Sequence, residues 1–157
     1  MLIKGIIVED FVNYKEPCMT IEFPFCDFKC DRENGSQLCQ NWSLQFEDSI
    51  DISYERIADL YLSNDITKAI VFQGLEPYFD RKVLYELIDT LRNKTDDPII
   101  IYTGYTEDEL KDDLPLLRFY RNIIVKFGRY RPNQEPHYDD VLGVMLANNE
   151  QYAKEII

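Results

Sequence analysis

Basic residues are scarce in this sequence. Its 157 residues include 17 lysines and arginines against 29 aspartates and glutamates, a formal net charge of −12. Such a surface repels phosphate backbones and anionic membranes, which disfavours binding to nucleic acid. No apolar run approaches the length of a membrane span, and Glu9 and Asp10 interrupt the first apolar segment too early for a secretory signal. We therefore expect a cytoplasmic protein with reduced thiols, and neither nucleic acid nor a membrane as its partner.

Repeats, linkers and low-complexity tracts are also missing. A chain of 157 residues with 45% hydrophobic and 13% aromatic residues is long enough for one domain with a real core. It is too short for two comfortable domains. The sequence thus predicts a single domain over residues 1–157.

Cysteines are few, but three of the four lie close together. Cys26, Cys30 and Cys39 fall within fourteen residues, in the segment FCDFKCDRENGSQLCQN. Where thiols stay reduced, cysteines this close are more often metal or cluster ligands than disulfide partners. Three thiolates leave one coordination position free, which a reactive metal site needs and a structural one does not. A zinc site is the alternative if Cys18 or His137 supplies a fourth ligand, although paired Cys-x2-Cys knuckles are absent.

Strand and helix patterns alternate along the chain. Residues 19–25 have the period of two of a half-buried strand that ends just before Cys26. Three later apolar runs suit strands buried on both faces, and helical apolar faces separate them. The runs lie at 69–72, 98–102 and 123–127, and the clearest helical faces lie at 53–62 and 83–91. This βαβ rhythm predicts an α/β fold in which parallel strands and outer helices form a partial, open TIM-like barrel.

Three further segments carry local signals. Thr106 to Glu109 is a capping-box sequence, which predicts the start of a helix. Residues 129–140 contain two prolines and are expected to form an exposed loop. Asn148 or Asn149 is expected to cap a last helix that runs to Ile157.

Polar motifs follow the predicted strands at their C-terminal ends. Cys26 follows the first long strand, and the motifs QGLEP at 73–77, TGYT at 103–106 and GRY at 128–130 follow the next three. The C-terminal strand ends of parallel α/β architectures share one face, and ligands bind there. We therefore expect the cysteines and these motifs to converge.

These residues resemble the radical S-adenosylmethionine superfamily, and most closely the small activating proteins of anaerobic ribonucleotide reductase. The likeness rests on the cysteine loop, on QGLEP, which looks like the GGEP motif of that family, and on the TGYT strand end. Segments at 10–13 (DFVN), 99–110 (IIIYTGYTEDEL) and 142–151 (LGVMLANNEQ) also look like segments of that group. The likeness thus runs nearly from end to end.

The resemblance implies a radical enzyme. A [4Fe-4S] cluster would be bound by Cys26, Cys30 and Cys39, and S-adenosylmethionine would chelate the fourth iron. Reductive cleavage would give methionine and a 5′-deoxyadenosyl radical. In the activating proteins this radical abstracts hydrogen from a glycine of a partner glycyl-radical enzyme, such as anaerobic ribonucleotide reductase. A reductant such as flavodoxin or ferredoxin would supply the electron.

The same resemblance gives four residues cofactor-binding roles by position. Glu76 would accept a hydrogen bond from the methionyl ammonium, and Gly74 would let the backbone approach the ligand closely. Leu38, directly before the last cysteine, occupies the position usually filled by an aromatic residue near the adenine. Thr103 is a candidate for a ribose or carboxylate contact.

Two departures set this chain apart from the family pattern. Eight residues separate Cys30 from Cys39, where the family spacing Cys-x3-Cys-x2-Cys has two, so six residues are inserted. Closing the longer loop costs only about 1–2 kcal/mol in entropy, so the insertion alone does not prevent ligation by all three cysteines. Leu75 replaces the second glycine of GGEP. Two alternatives stay open: a radical S-adenosylmethionine enzyme that modifies a small molecule or nucleoside, and a non-enzymatic zinc-binding adaptor.

Overall fold

The fold is built on one mixed β-sheet with helices. The computed structural model describes residues 1–157 and has ten strands and four α-helices. The strands are β1 (Leu2–Ile3), β2 (Gly5–Asp10), β3 (Cys18–Phe23), β4 (Ile50–Asp51), β5 (Ala69–Gly74), β6 (Ile99–Tyr102), β7 (Ile123–Phe127), β8 (His137–Asp139), β9 (Val144–Leu146) and β10 (Tyr152–Ile156). The helices are α1 (Lys29–Asn34), α2 (Tyr54–Leu62), α3 (Arg81–Arg92) and α4 (Leu114–Leu117). No helix is both long enough and apolar enough to cross a membrane.

The main sheet has six strands in the order β10-β7-β6-β5-β3-β2. Its four central strands, β3, β5, β6 and β7, run parallel, whereas β2 and β10 pair antiparallel at the two edges. Each crossover joins neighbouring strands and advances in the same direction, so right-handed connections place their helices on one face. There α2 packs against α3. The protein is therefore α/β with a mixed sheet, and the open TIM-like barrel stays a prediction.

Each face of the sheet has its own hydrophobic core. On the helical face, Ile57 of α2 and Leu87 of α3 are fully buried against the strands. On the other face, Val71 and Ile100 are fully buried and Leu142 closes over that second core. Burial on both faces explains why β5, β6 and β7 are mostly continuous apolar runs rather than alternating ones.

The predicted helices at 53–62 and 83–91 are confirmed. Ser53 caps α2 by accepting a hydrogen bond from the backbone N–H of Arg56. Asp80 caps α3 in the same way, through the N–H of Val83. Each such cap stabilises a helix by about 1 kcal/mol.

The predicted C-terminal helix is wrong. The chain after Asn148 forms β10, which pairs antiparallel with β7 along its whole length. Without β10, β7 would leave a row of backbone N–H and C=O groups unpaired at the edge of the sheet. Pairing with a distant strand therefore overrides the local capping signal of the asparagines.

Two other local predictions need correction. Thr106 and Glu109 do exchange capping-box hydrogen bonds, at 2.9 and 3.3 Å, but they open a series of turns, and regular helix begins only at Leu114. The segment 129–140 is not an exposed loop throughout. Its first residue, Arg129, is buried, and β8 begins at His137.

Candidate functional site

A cavity of about 440 Å³ lies at the C-terminal ends of the parallel strands. Residues that follow β3, β5, β6 and β7 all contribute to its wall. The structure brings six of the predicted site residues to this wall: Cys26, Cys30, Cys39, Gly74, Glu76 and Thr103. Leu38 is half-buried and does not belong to the wall.

The cysteine loop leaves β3 and crosses the strand ends. Cys26 Sγ accepts a hydrogen bond of 3.2 Å from the N–H of Phe28, and Cys30 lies within α1. All the cysteines are free thiols. Burial raises the pKa of the Cys26 thiol to about 12. The mutual interaction of the Cys30 and Cys39 thiols lowers the pKa of Cys39 and raises that of Cys30.

A network of charged side chains ties α1 to the strand ends. Arg129 is only 6% exposed, and its guanidinium lies 2.7 Å from Glu109 Oε1. Its Nε is 3.0 Å from Glu33 Oε2 but out of line for a hydrogen bond, so that contact is a Coulombic one. Lys29 also contacts Glu109. The Arg129 guanidinium holds the pKa of Glu109 well below its usual range. Both ends of α1 are thus anchored, and with them the segment that carries Cys30.

Glu76 is the best-connected side chain of the cavity wall. It is 5% exposed, and its Oε1 accepts hydrogen bonds from the N–H of Tyr78 at 3.0 Å and the hydroxyl of Thr103 at 2.8 Å. Its Oε2 accepts a bond of 2.9 Å from the N–H of Gly104. Burial raises the pKa of Glu76 to about 7, although these hydrogen bonds act in the opposite direction. Since each carboxylate oxygen has two acceptor sites, Oε2 retains one for a ligand.

Thr103 uses its hydroxyl inside the protein. It donates to Glu76 and accepts a hydrogen bond of 3.0 Å from the N–H of Tyr105. The hydroxyl has no hydrogen left to donate to a ligand. In this arrangement Thr103 positions the Glu76 carboxylate.

Gly74 is required by the backbone itself. Its φ is +91°, and a Cβ at this position would lie 2.8 Å from the backbone N of Phe23. Its carbonyl accepts a hydrogen bond of 2.7 Å from Asn41 Nδ2, which ties the end of the cysteine loop to β5. The resemblance attributes this glycine to close approach by a ligand, and the structure adds close approach by β3.

Sequence reasoning missed Lys126, which also lines the cavity. This residue lies in β7, is 6% exposed and forms no ion pair. Its ammonium donates one hydrogen bond of 3.0 Å, to the carbonyl of Gly128. Burial lowers the pKa of Lys126 to about 8, while the charge of Glu76 acts in the opposite direction. The signal was present in the sequence, since a single lysine interrupts the otherwise apolar run IIVKF.

The structure does not supply the fourth ligand of a zinc site. Cys18 starts β3, at the opposite end of that strand from the cysteine loop, and donates to the carbonyl of Asp10. The ring Nε2 of His137 lies 2.7 Å from the carbonyl oxygen of Gln151, and His137 does not line the cavity. No three His, Cys, Asp or Glu side chains are arranged around a single metal ion. A centre that takes three thiolates and spreads them over separate irons fits this donor set better.

Fold and site together define an α/β protein with three free thiols in a cavity at the strand ends. A protein-family model described as a 4Fe-4S single cluster domain matches residues 19–143, and the chain belongs to that family. No curated protein and no solved structure matches the chain. The chain is therefore an iron-sulfur protein, and the family supports the [4Fe-4S] cofactor expected from the sequence.

At about pH 5, where the Glu76 carboxyl is protonated in the folded protein and burial does not penalise a charge, replacing Glu76 by alanine should lower the free energy of unfolding by about 3 kcal/mol or more. The change leaves the Tyr78 N–H, the Thr103 hydroxyl and the Gly104 N–H without their acceptor in a buried site, at about 1–3 kcal/mol each. Urea unfolding of the metal-free protein measures the loss. A Glu76→Gln protein keeps one acceptor oxygen and should lose less. Equal stability of Glu76→Ala and wild type would contradict the assigned hydrogen bonds.

Proposed function

We propose that this chain is a radical S-adenosylmethionine enzyme that generates a glycyl radical on a partner protein such as anaerobic ribonucleotide reductase. The proposal rests on the observation that three thiols, Glu76 and Lys126 line the same cavity. Cys26, Cys30 and Cys39 would hold the [4Fe-4S] cluster. When bound, this cluster supplies the electron that cleaves S-adenosylmethionine to methionine and a 5′-deoxyadenosyl radical.

Two side chains of opposite charge orient the amino-acid end of S-adenosylmethionine. The free acceptor site of Glu76 Oε2 takes a hydrogen bond from the ammonium group. Lys126 has three N–H donors and uses one of them on Gly128, so two are left for the carboxylate. Glu76 follows β5, and Lys126 lies in β7. The two side chains therefore belong to separate parts of the cavity wall. One acidic and one basic side chain complement the two opposite charges of the amino-acid end of S-adenosylmethionine.

The remaining positional roles belong to the same proposal. Gly74 lets the backbone approach the ligand as well as β3. Leu38 takes the place beside the adenine that an aromatic residue fills in the related proteins. We infer that the sheet acts as an open TIM-like barrel whose open side would admit the partner.

Exposed aromatic side chains at the cysteine loop favour a protein partner over a small molecule. Phe25 directly precedes Cys26 and is 46% exposed, while Phe79 follows the QGLEP motif and is 50% exposed. Their ring centroids lie 5.7 Å apart. Exposed apolar groups next to a functional cavity are typical of a protein contact. The net charge of −12 suits a partner segment that is basic.

Anaerobic reconstitution with iron and sulfide tests the proposal. We expect about four irons per chain, and 5′-deoxyadenosine after reduction in the presence of S-adenosylmethionine. Deuterium from a labelled partner glycine should appear in the 5′-deoxyadenosine. Transfer from a small substrate instead would favour the small-molecule or nucleoside alternative. One zinc and no sulfide per chain would contradict both and support the zinc-binding adaptor.

A further inference from the structure

The eight residues between Cys30 and Cys39 fold back on themselves. Helix α1 continues to Asn34, and Gly35 ends it with φ +66° in the left-handed region. The N–H of Gly35 bonds to the carbonyl of Arg32 at 3.4 Å. This helix end reverses the chain, so the segment after it returns toward the start of α1.

A single carboxylate oxygen closes the loop. Asp31 Oδ1 accepts hydrogen bonds from the backbone N–H of Leu38 and from that of Cys39, both at 2.8 Å. Asp31 is the residue directly after Cys30. The carboxylate therefore connects the two cysteines through one side chain and two backbone donors.

The position of these bonds matches the length of the insertion. Asp31 and Leu38 face each other across the closed loop, and residues 32–37 between them are six in number. Without these six residues, Cys30, Asp31, Leu38 and Cys39 would form a Cys-x2-Cys sequence. The insertion lengthens the sequence between Cys30 and Cys39, and the hydrogen bonds to Asp31 bring Leu38 and Cys39 back next to Asp31 in the fold.

Asp31 takes part in no ion pair with a lysine or arginine. Besides the two backbone bonds, its Oδ1 accepts a long hydrogen bond of 3.8 Å from Cys30 Sγ. The two backbone bonds, at 2.8 Å, are the short, charge-assisted ones that connect the carboxylate to Leu38 and Cys39.

We propose that Asp31 is the positioning residue of the third cluster ligand. By binding the N–H groups of Leu38 and Cys39, it holds the Cys39 thiolate next to Cys30 and excludes residues 32–37 from the ligand loop. The inference rests on the cluster assigned under the proposed function and does not depend on S-adenosylmethionine or on a partner.

Iron retention after anaerobic reconstitution tests the inference in four proteins: wild type, Asp31→Ala, Asp31→Asn and Asp27→Ala. We expect Asp31→Ala to lose iron to a chelator roughly tenfold faster than wild type, because both backbone donors lose their acceptor. Asp31→Asn keeps an acceptor oxygen and should stay within about twofold of wild type. Asp27→Ala is the matched control, since its carboxylate contacts Lys29 and Arg32 and not Cys39.

A second measurement, on the metal-free protein, tests whether Asp31 holds Cys39 next to Cys30 and does not depend on cluster assembly. A reagent that alkylates two thiols should bridge Cys30 and Cys39 roughly tenfold more slowly in Asp31→Ala, with the bridged peptides identified by mass spectrometry. Equal iron retention, or equal bridging, in Asp31→Ala and wild type would overturn the inference. Equal losses in Asp31→Asn and Asp31→Ala would also overturn it, because the charge and not the acceptor would then matter. A wild-type protein that assembles no cluster would contradict the proposed function instead.

Discussion

A Cys39→Ala protein should assemble no stable [4Fe-4S] cluster after anaerobic reconstitution. The cavity wall contains three thiols, and removal of one leaves two protein ligands for four irons. The fourth cysteine cannot replace it, because Cys18 lies at the far end of β3. We expect iron to fall from about four to below about one per chain. Iron and sulfide analysis, together with the visible absorbance of the cluster, measures the loss.

Cys18→Ala is the matched control for this experiment. Its thiol is fully buried in the core on the non-helical face of the sheet and donates to the Asp10 carbonyl at 3.4 Å. The substitution should lower the free energy of unfolding by about 1–2 kcal/mol and leave the cluster intact. A Cys39→Ala protein that retains the wild-type content of iron and sulfide would refute the assignment of Cys39 as a ligand.

The central part of the fold could be predicted from the sequence because its signals are local. Continuous apolar runs at β5, β6 and β7 and the helical face of α3 specify the βαβ order, and Ser53 marks the start of α2. The edge strand at the C-terminal end of the chain could not be predicted in this way. β10 exists because β7 needs an edge partner, and this requirement is not visible in the residues of β10 themselves.

The candidate site, like the fold, could be predicted only where the signals in the sequence are local. Motif positions after strands identified Glu76 and the three cysteines, since the C-terminal ends of parallel strands meet at one face. The sequence did not reveal how Cys39 returns to Cys30, because the two bonds to Asp31 depend on the course of the loop. The sequence also did not reveal that the side chain of Lys126 in β7 faces the cavity and not the solvent.

That lysine leads to a prediction with two effects of opposite sign. A Lys126→Met protein should be more stable than wild type at neutral pH and should bind S-adenosylmethionine more weakly. Burial lowers the pKa of Lys126 from 10.5 to about 8, so the folded chain binds this proton less tightly than the unfolded chain does. Protonated Lys126 therefore opposes folding below pH 8 by about 3 kcal/mol. This penalty decreases as the pH rises from 8 toward 10.5 and is absent in methionine.

Urea unfolding of the metal-free proteins at several pH values measures the first effect. We expect the stability difference between Lys126→Met and wild type to be largest at neutral pH and to shrink toward pH 10.5. Lys154→Met is the matched control, because that lysine is half-exposed and paired with Glu107. It should change stability by less than about 1 kcal/mol and show no such trend. A Lys126→Met protein less stable than wild type at neutral pH would mean that the ammonium is well satisfied inside the protein.

Calorimetric titration of the reconstituted proteins with S-adenosylmethionine measures the second effect. Under the proposed function, loss of a buried, charge-assisted contact to the ligand carboxylate should weaken binding roughly 10- to 100-fold, while Lys154→Met should bind as wild type does. A lysine with only a structural role would change stability and leave the affinity alone. Unchanged affinity in Lys126→Met would therefore remove Lys126 from the binding site. Weaker binding together with greater stability would mean that Lys126 serves binding at the expense of stability. Its ammonium makes one hydrogen bond within the protein, and an anionic ligand would supply the further acceptors.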